Sequence, residues 1–245
     1  MTLFAGLGAT SAVLMLVFKD TITGLAAGVR LTSNDMLHKG DWITVKSVDA
    51  NGIVEDMSLT TVKVRNFDNT IVTISPITLV NGSFQNWIGM QKSGGRRVKR
   101  VVYFDFRSVR LVDETLKRNL LAKHFATEDS FKLKESLQKA IDKDIQEGKD
   151  IEDLKNPAAL APTNLQLYRK FMEKYLRQRP EVNTDLTLMV RHMEATQCGL
   201  PIEFYFFIKD KVWVNYEHIL ADIMEHAYAL ANEFGLKIYE QYPEQ

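Results

Sequence analysis

The sequence is poor in four things, and each absence narrows what the chain can do. Among 245 residues there is one cysteine, Cys198, so no intrachain disulfide can form and a reducing compartment is the natural setting. Net charge is absent too, with 31 Lys+Arg against 31 Asp+Glu. A protein that gains affinity by neutralising nucleic-acid phosphates needs a basic excess, so nucleic acid is not an expected partner. No glycine-rich G-x-x-x-x-G-K-[ST] loop is present to cradle a phosphate. Finally, residues 1–18 carry no charged side chain, although 25% of the whole chain is charged. The length allows one to three domains and a sizeable core.

The uncharged run Leu3–Phe18 is studded with small residues: Gly6, Gly8, Ala9, Thr10, Ser11 and Ala12. As a helix it reaches roughly 24 Å, a little short of a hydrocarbon core of about 30 Å. Three readings compete. A secretory signal peptide wants a basic residue ahead of the apolar run, and nothing basic precedes Lys19. A buried soluble helix would be weakly anchored by so many small side chains. A membrane helix that faces other helices or a pore uses small residues for close approach. After Lys19 and Asp20 the helical pattern resumes through Leu31, with Gly24 and Gly28 in Gly-xxx-Gly spacing. The charged pair predicts a break at the membrane exit, with the second half near the interface. Lys19, Arg30 and Lys39 all lie on the C-terminal side, which places that side in the cytoplasm by the positive-inside rule.

From Gly40 the period changes to two. Asp41–Lys46, Ile53–Met57, Leu59–Arg65, Thr70–Ser75 and Ser83–Trp87 read as short strands, punctuated by turn signals at Asp49–Gly52, Asp68-Asn69 and Asn81-Gly82. Such spacing predicts a small SH3-like or Sm-like barrel over residues 36–92. Barrels of this kind often bind RNA or peptides. Here Trp42, Phe67, Phe84 and Trp87 are spaced as core or interface residues, not as a stacking platform.

Leu25-Ala-Ala-Gly-Val29, Gly40-Asp-Trp-Ile43, Gly52-Ile-Val54, Leu59-Thr-Thr61, Asp68–Val72 and Asn81-Gly82 occur in one order and spacing. Together they resemble the bacterial small-conductance mechanosensitive channel family, over about residues 5–110. The resemblance implies a homo-oligomer, a heptamer in relatives, in the inner membrane, with one pore helix per subunit at residues 1–35. Membrane lipids and permeant ions are the other implied partners, and no cofactor is. It also implies two apolar rings one helical turn apart, which match Ala12 and Leu16. Leu16 supplies a dewetted ring, whereas Ala12 departs from the pattern and leaves that level wider. Where relatives have a kink glycine, this chain has Asp20. Gly8, Gly24 and Gly28 keep the small-residue packing pattern. At Ile74-Ser-Pro76 relatives commonly show Ile-Pro-Asn, so the helix cap that Asn provides is not expected. Relatives carry further transmembrane helices before the pore helix, so the expectation is a truncated chain or a natural short form.

The Lys19/Asp20 pair reads either as an interfacial end of the membrane segment or as a charged ring at the pore mouth. Further on, Lys92–Arg110 holds seven basic residues against Asp105 alone, a solvated face or an attractor of anions. Residues 93–245 then alternate: strand Val98–Phe106, helix Thr115–His124, strands Asp185–Met193 and Ile202–Ile208, helix Asn215–Phe234 and a short strand Leu236–Tyr239. This order predicts a ferredoxin-like α+β domain. A helical insertion at about 125–184 interrupts it, with a charged helix Asp129–Gly148, a connector Asn156–Pro162 and a helix Asn164–Arg179. The insertion, with Thr187–Arg191, Gly199-Leu-Pro201 and Val212-Trp213, resembles the miniconductance branch, linked to osmotic adaptation. It reads as peripheral decoration or as a contact between subunits.

Chemistry-bearing clusters are sparse. His218, Asp222 and His226 are spaced four apart on one helix face, the most metal-like set present. An apolar stripe of Ile219, Ile223, Ala227 and Phe234 lies beside them, so a solvated histidine face is expected and no metal site. Cys198 sits in a turn without a sequence-local base. Enzyme activity is not expected. The functional expectation is a channel subunit that opens with membrane tension and protects against hypoosmotic stress. The alternative is a non-conducting membrane-associated assembly or binding module that keeps the same cytoplasmic domains.

Overall fold

The computed structural model describes residues 2–132 and 161–240. Much of the expected insertion, including Asp129–Gly148 beyond Lys132 and most of Asn156–Pro162, lies outside the described residues. The chain divides into two compact units, Met1–Ser93 and Gly94–Gln245.

The first unit opens with α1 (Thr2–Ser33), a single unbroken helix. The expected break at Lys19-Asp20 is not there, because neither residue disfavours helix strongly enough to interrupt the backbone ladder. Strands β1 (Trp42–Val45), β2 (Ala50–Met57), β3 (Val62–Asn66), β4 (Ile71–Ile74) and β5 (Gln85–Asn86) form an antiparallel sheet in the order β4-β3-β2-β1-β5. Alternation puts Ile43, Val45, Val54, Val62 and Val64 on the buried side, where Ile74 joins them. Two short helices, α2 (Pro76–Asn81) and α3 (Ile88–Lys92), complete the unit.

The turn expected at Asp49–Gly52 forms earlier. Lys46–Val48 is a 3-10 turn closed by Asp49 in the left-handed conformation, and Gly52 is inside β2. Gly52 serves close approach and not reversal: an added methyl would overlap the carbonyl of Arg65 on β3. At the displaced proline, α2 starts without a side-chain cap at Ser75, and Pro76 at the first helical position supplies the preset backbone angle.

The second unit runs β6 (Arg96–Phe104), α4 (Glu114–Ala122), α5 (Asn164–Gln178), β7 (Met189–His192), β8 (Leu200–Ile208) and α6 (Trp213–Glu233). The sheet order is β6-β8-β7, both pairs antiparallel. The short final strand expected over Leu236–Tyr239 is reduced to one bridge, Ile238 to Phe104. With it the order is that of a ferredoxin-like sheet, last strand outermost beside the first. Beyond that bridge, no described strand pairs with the outer edge of β6. The β7 expectation was too long at its start, since residues 185–188 precede the strand.

The three described helices α4, α5 and α6 cover one sheet face, whose core includes Val98, Val102, Phe104, Ile202, Phe204 and Phe206. Asn164, fully buried, ties this layer together. Its carboxamide oxygen accepts from the backbone N–H groups of Arg110 and Leu165, and its nitrogen donates to the carbonyls of Ser108 and Phe234. Tyr168, also buried, donates to the Ala227 carbonyl at 2.7 Å. Burial holds its phenol well above the ordinary tyrosine value. The folded chain therefore keeps a proton that the unfolded chain releases above pH about 10. Stability supplied by this group is full below that pH and is lost as pH rises beyond it. Alkaline denaturation followed by tryptophan fluorescence should show that loss, and Tyr168→Phe should make it shallower.

Candidate functional site

Within the chain, α1 is exposed on every side over residues 11–22. Val13, Leu14, Met15, Leu16, Val17 and Phe18 have 52–74% of their surface open. Each such side chain forgoes about 1.5–3 kcal/mol while in water, so the segment calls for lipid or other protein around it. The span Ser11–Ser33 is 23 residues, long and apolar enough to cross a membrane. Lys19 and Asp20 stand exposed on this helix.

The far end of α1 is held differently. Ala27 and Leu31 are buried in the core of the β unit. Gly28 is buried as well, and an added methyl there would overlap the carbonyl of Leu59 in the β2–β3 connection. Gly24 has open space where a methyl would go. Helical geometry puts Ala12 and Leu16 one turn and about 40° apart, while Gly28 lies about 120° around from Leu16. The surface of α1 that meets the hairpin is therefore not the one that carries Leu16. The helix ends by the backbone N–H of Met36 donating to the Leu31 carbonyl, with Asp35 in the left-handed conformation. Asp41, 7% exposed, then fastens the elbow by accepting from the His38 backbone at 3.0 Å and from Asn86 Nδ2 at 2.8 Å.

Of the residues singled out from sequence, Ala12, Leu16, Lys19 and Asp20 all stand exposed on α1, and Gly8 lies in its backbone. None meets a partner within the described residues of its own chain that would complete a ring. Gly24 is open and Gly28 is engaged by Leu59. The Leu59 contact and the Asp41–Asn86 elbow were not visible in the sequence, because one uses only main chain and the other joins residues 45 positions apart. On α6, the His226 Nδ1 lies 2.8 Å from the Asp222 carbonyl, and its ring stacks on Tyr175. Among the described residues no three potential ligands converge on a metal position. Cys198 is exposed in the β7–β8 connection, and its N–H donates to the Thr196 hydroxyl.

A helix long and apolar enough to cross a membrane is thus rooted in a small β unit. Residues 20–89 match the family model described as the mechanosensitive ion channel β-domain. The small-conductance mechanosensitive channel MscMJ of Methanocaldococcus jannaschii is 34% identical over 84 residues, 34% of this chain and 23% of that protein. The large-conductance channel MscMJLR of the same organism is 30% identical over 129 residues, 52% of this chain and 35% of that protein. The matches thus span about a quarter to a third of those relatives. In fold, Helicobacter pylori MscS in its closed state covers all of this chain and 72% of its own, with TM-score 0.61 and 14% identity. Arabidopsis thaliana MSL1 covers 96% of this chain and 64% of its own, with TM-score 0.61 and 11% identity. Residues 20–89 thus resemble the β-domain of mechanosensitive ion channels, and the fold of the chain is like that of MscS structures.

Gly28→Ala should lower the stability of the first unit by about 2–4 kcal/mol through main-chain overlap at Leu59. Gly24→Ala, into open space, should leave it unchanged or raise it by up to about 1 kcal/mol. Hydrogen exchange of the β2–β3 amides distinguishes the two outcomes.

Proposed function

We propose that this chain is the pore-helix and cytoplasmic part of a homo-oligomeric channel, heptameric as its family resemblance implies, which opens under membrane tension. The observation that carries the reading is α1: uncharged and exposed along residues 11–18, then rooted in the β unit by Ala27, Gly28 and Leu31. Copies arranged around an axis bring Leu16 side chains together as a constriction that excludes water, with the smaller Ala12 making a wider level one turn away. Gly8 and Gly24 allow neighbouring helices to approach. Lys19 and Asp20 form the charged mouth on the cytoplasmic side and bias which ions enter. Tension favours the conformer that occupies more membrane area, and the wider pore conducts. Release of solutes through it protects a bacterial cell, in its inner membrane, against hypoosmotic shock. Lipids and permeant ions are the remaining partners.

The competing reading is a non-conducting membrane assembly with the same cytoplasmic domains. Patch-clamp recording separates the two. Leu16→Ser should wet the constriction and give spontaneous openings or a lower tension threshold; an unchanged threshold removes Leu16 from the gate. Exchanging the charges, Lys19→Asp with Asp20→Lys, should alter single-channel conductance or ion preference without changing net charge. Identical currents would return the pair to a structural role.

A further inference from the structure

The sheet of the second unit has two faces of unlike fate. One is covered by α4, α5 and α6; on the other no described element of the unit packs, although it is far from inert. Cross-strand register sets Arg97 opposite Phe207 and Lys99 opposite Tyr205, while Glu203 faces Arg191. Tyr205 and Phe207 meet edge to face at 5.8 Å and are only half-buried. Between them and Arg191 lies Glu203, with no exposed surface at all. Arg191 Nε holds one carboxylate oxygen at 2.6 Å; the other lies 3.6 Å from Lys99 Nζ and accepts no hydrogen bond. With Arg97 the face carries three cations around one carboxylate. It is an apolar, basic sheet surface with a buried acceptor still short of a donor.

The opposite side of the same two-layer unit has the complementary character. Helix α6 contains four carboxylates, Glu217, Asp222, Glu225 and Glu233, and no Lys or Arg. Lys123 pairs with Glu233, and Trp213 donates to Glu217. Among the described residues no cation reaches Asp222 or Glu225. These two share an exposed stripe with Ala221 and Ala229, whose small side chains let a helix lie close to a sheet.

We propose that the open sheet face of one copy receives the α6 stripe of the next copy, head to tail. The inference presupposes the homo-oligomer proposed above and adds which surfaces join it. Face-to-face pairing of two basic sheets, or of two acidic helices, sets like charges together and is disfavoured. Sheet against helix pairs opposite charges, covers Tyr205 and Phe207, and uses surfaces on opposite sides of the unit. Repeated contacts of that heterologous kind close into a ring. The His218–Asp222–His226 face is thereby part of a protein contact and not a metal site.

The test uses the full chain in nanodiscs with Cys198→Ser as background. Arg97→Cys with Ala221→Cys is the first cysteine pair, and Met189→Cys with Ala229→Cys guards against a misfolded first variant. Mild oxidation should link either pair into a ladder of multimers, while each single cysteine stays unlinked. Adding Asp222→Lys and Glu225→Lys should cut the linked fraction about tenfold. Dimers from Arg97→Cys alone mean sheet-to-sheet pairing and overturn the proposal. An unlinked protein of multimeric mass overturns it while the channel reading stands. A monomeric mass brings down both.

Discussion

The junction of α1 with the β2–β3 connection is the constraint on which the first unit depends. Gly28 meets Leu59 main chain to main chain. A contact between side chains can absorb a shift by changing rotamer, but two backbones have no such slack. Ala27 and Leu31 bury beside it, and Asp41 fixes the elbow that follows. The end of the helix and the sheet thus move as one body or part outright. The segment of α1 with the exposed leucines has no such ties within the chain. Freedom to repack therefore lies where the gate is proposed, and rigidity lies where the helix meets the β unit.

Much of this was legible in the sequence because it is carried by periodicity. Val62 and Val64, or Ile202, Phe204 and Phe206, announce a buried strand face whatever lies opposite. What the sequence hid depends on partners far along the chain. Asn51-Gly52 reads locally as a turn, yet Gly52 is needed where β2 crosses the backbone of Arg65. Asn164 reads as the start of a helix, but its role comes from Arg110, Ser108 and Phe234. Glu203 looks like an ordinary outward residue of a strand until Lys99 and Arg191 close over it. At the proposed gate, Lys19 and Asp20 were legible as the end of the uncharged run, and Leu16 through the family resemblance.

The two kinds of likeness to known channels differ in reach. Identities near 30% hold over 84 and 129 residues, whereas likeness of fold extends over essentially the whole chain at 11–14% identity. A sheet crossed closely by a helix and by its own strands demands glycine at particular places, and few substitutes exist. A two-layer α+β core demands only apolar volume on the right period, which many sequences supply. The β unit is thus the more constrained of the two by stereochemistry.

Among the described residues, strand β6 is bridged on its outer edge near Phe104, and that edge strand carries Arg96, Arg97, Lys99 and Arg100. Copies of one chain emerging from neighbouring ribosomes bring identical strands close together. An open apolar edge under those conditions is a template for fibrils. Four cations within five residues repel the same strand of a sister chain before any helix has folded. The basic run thus works against edge-to-edge pairing of unfolded copies.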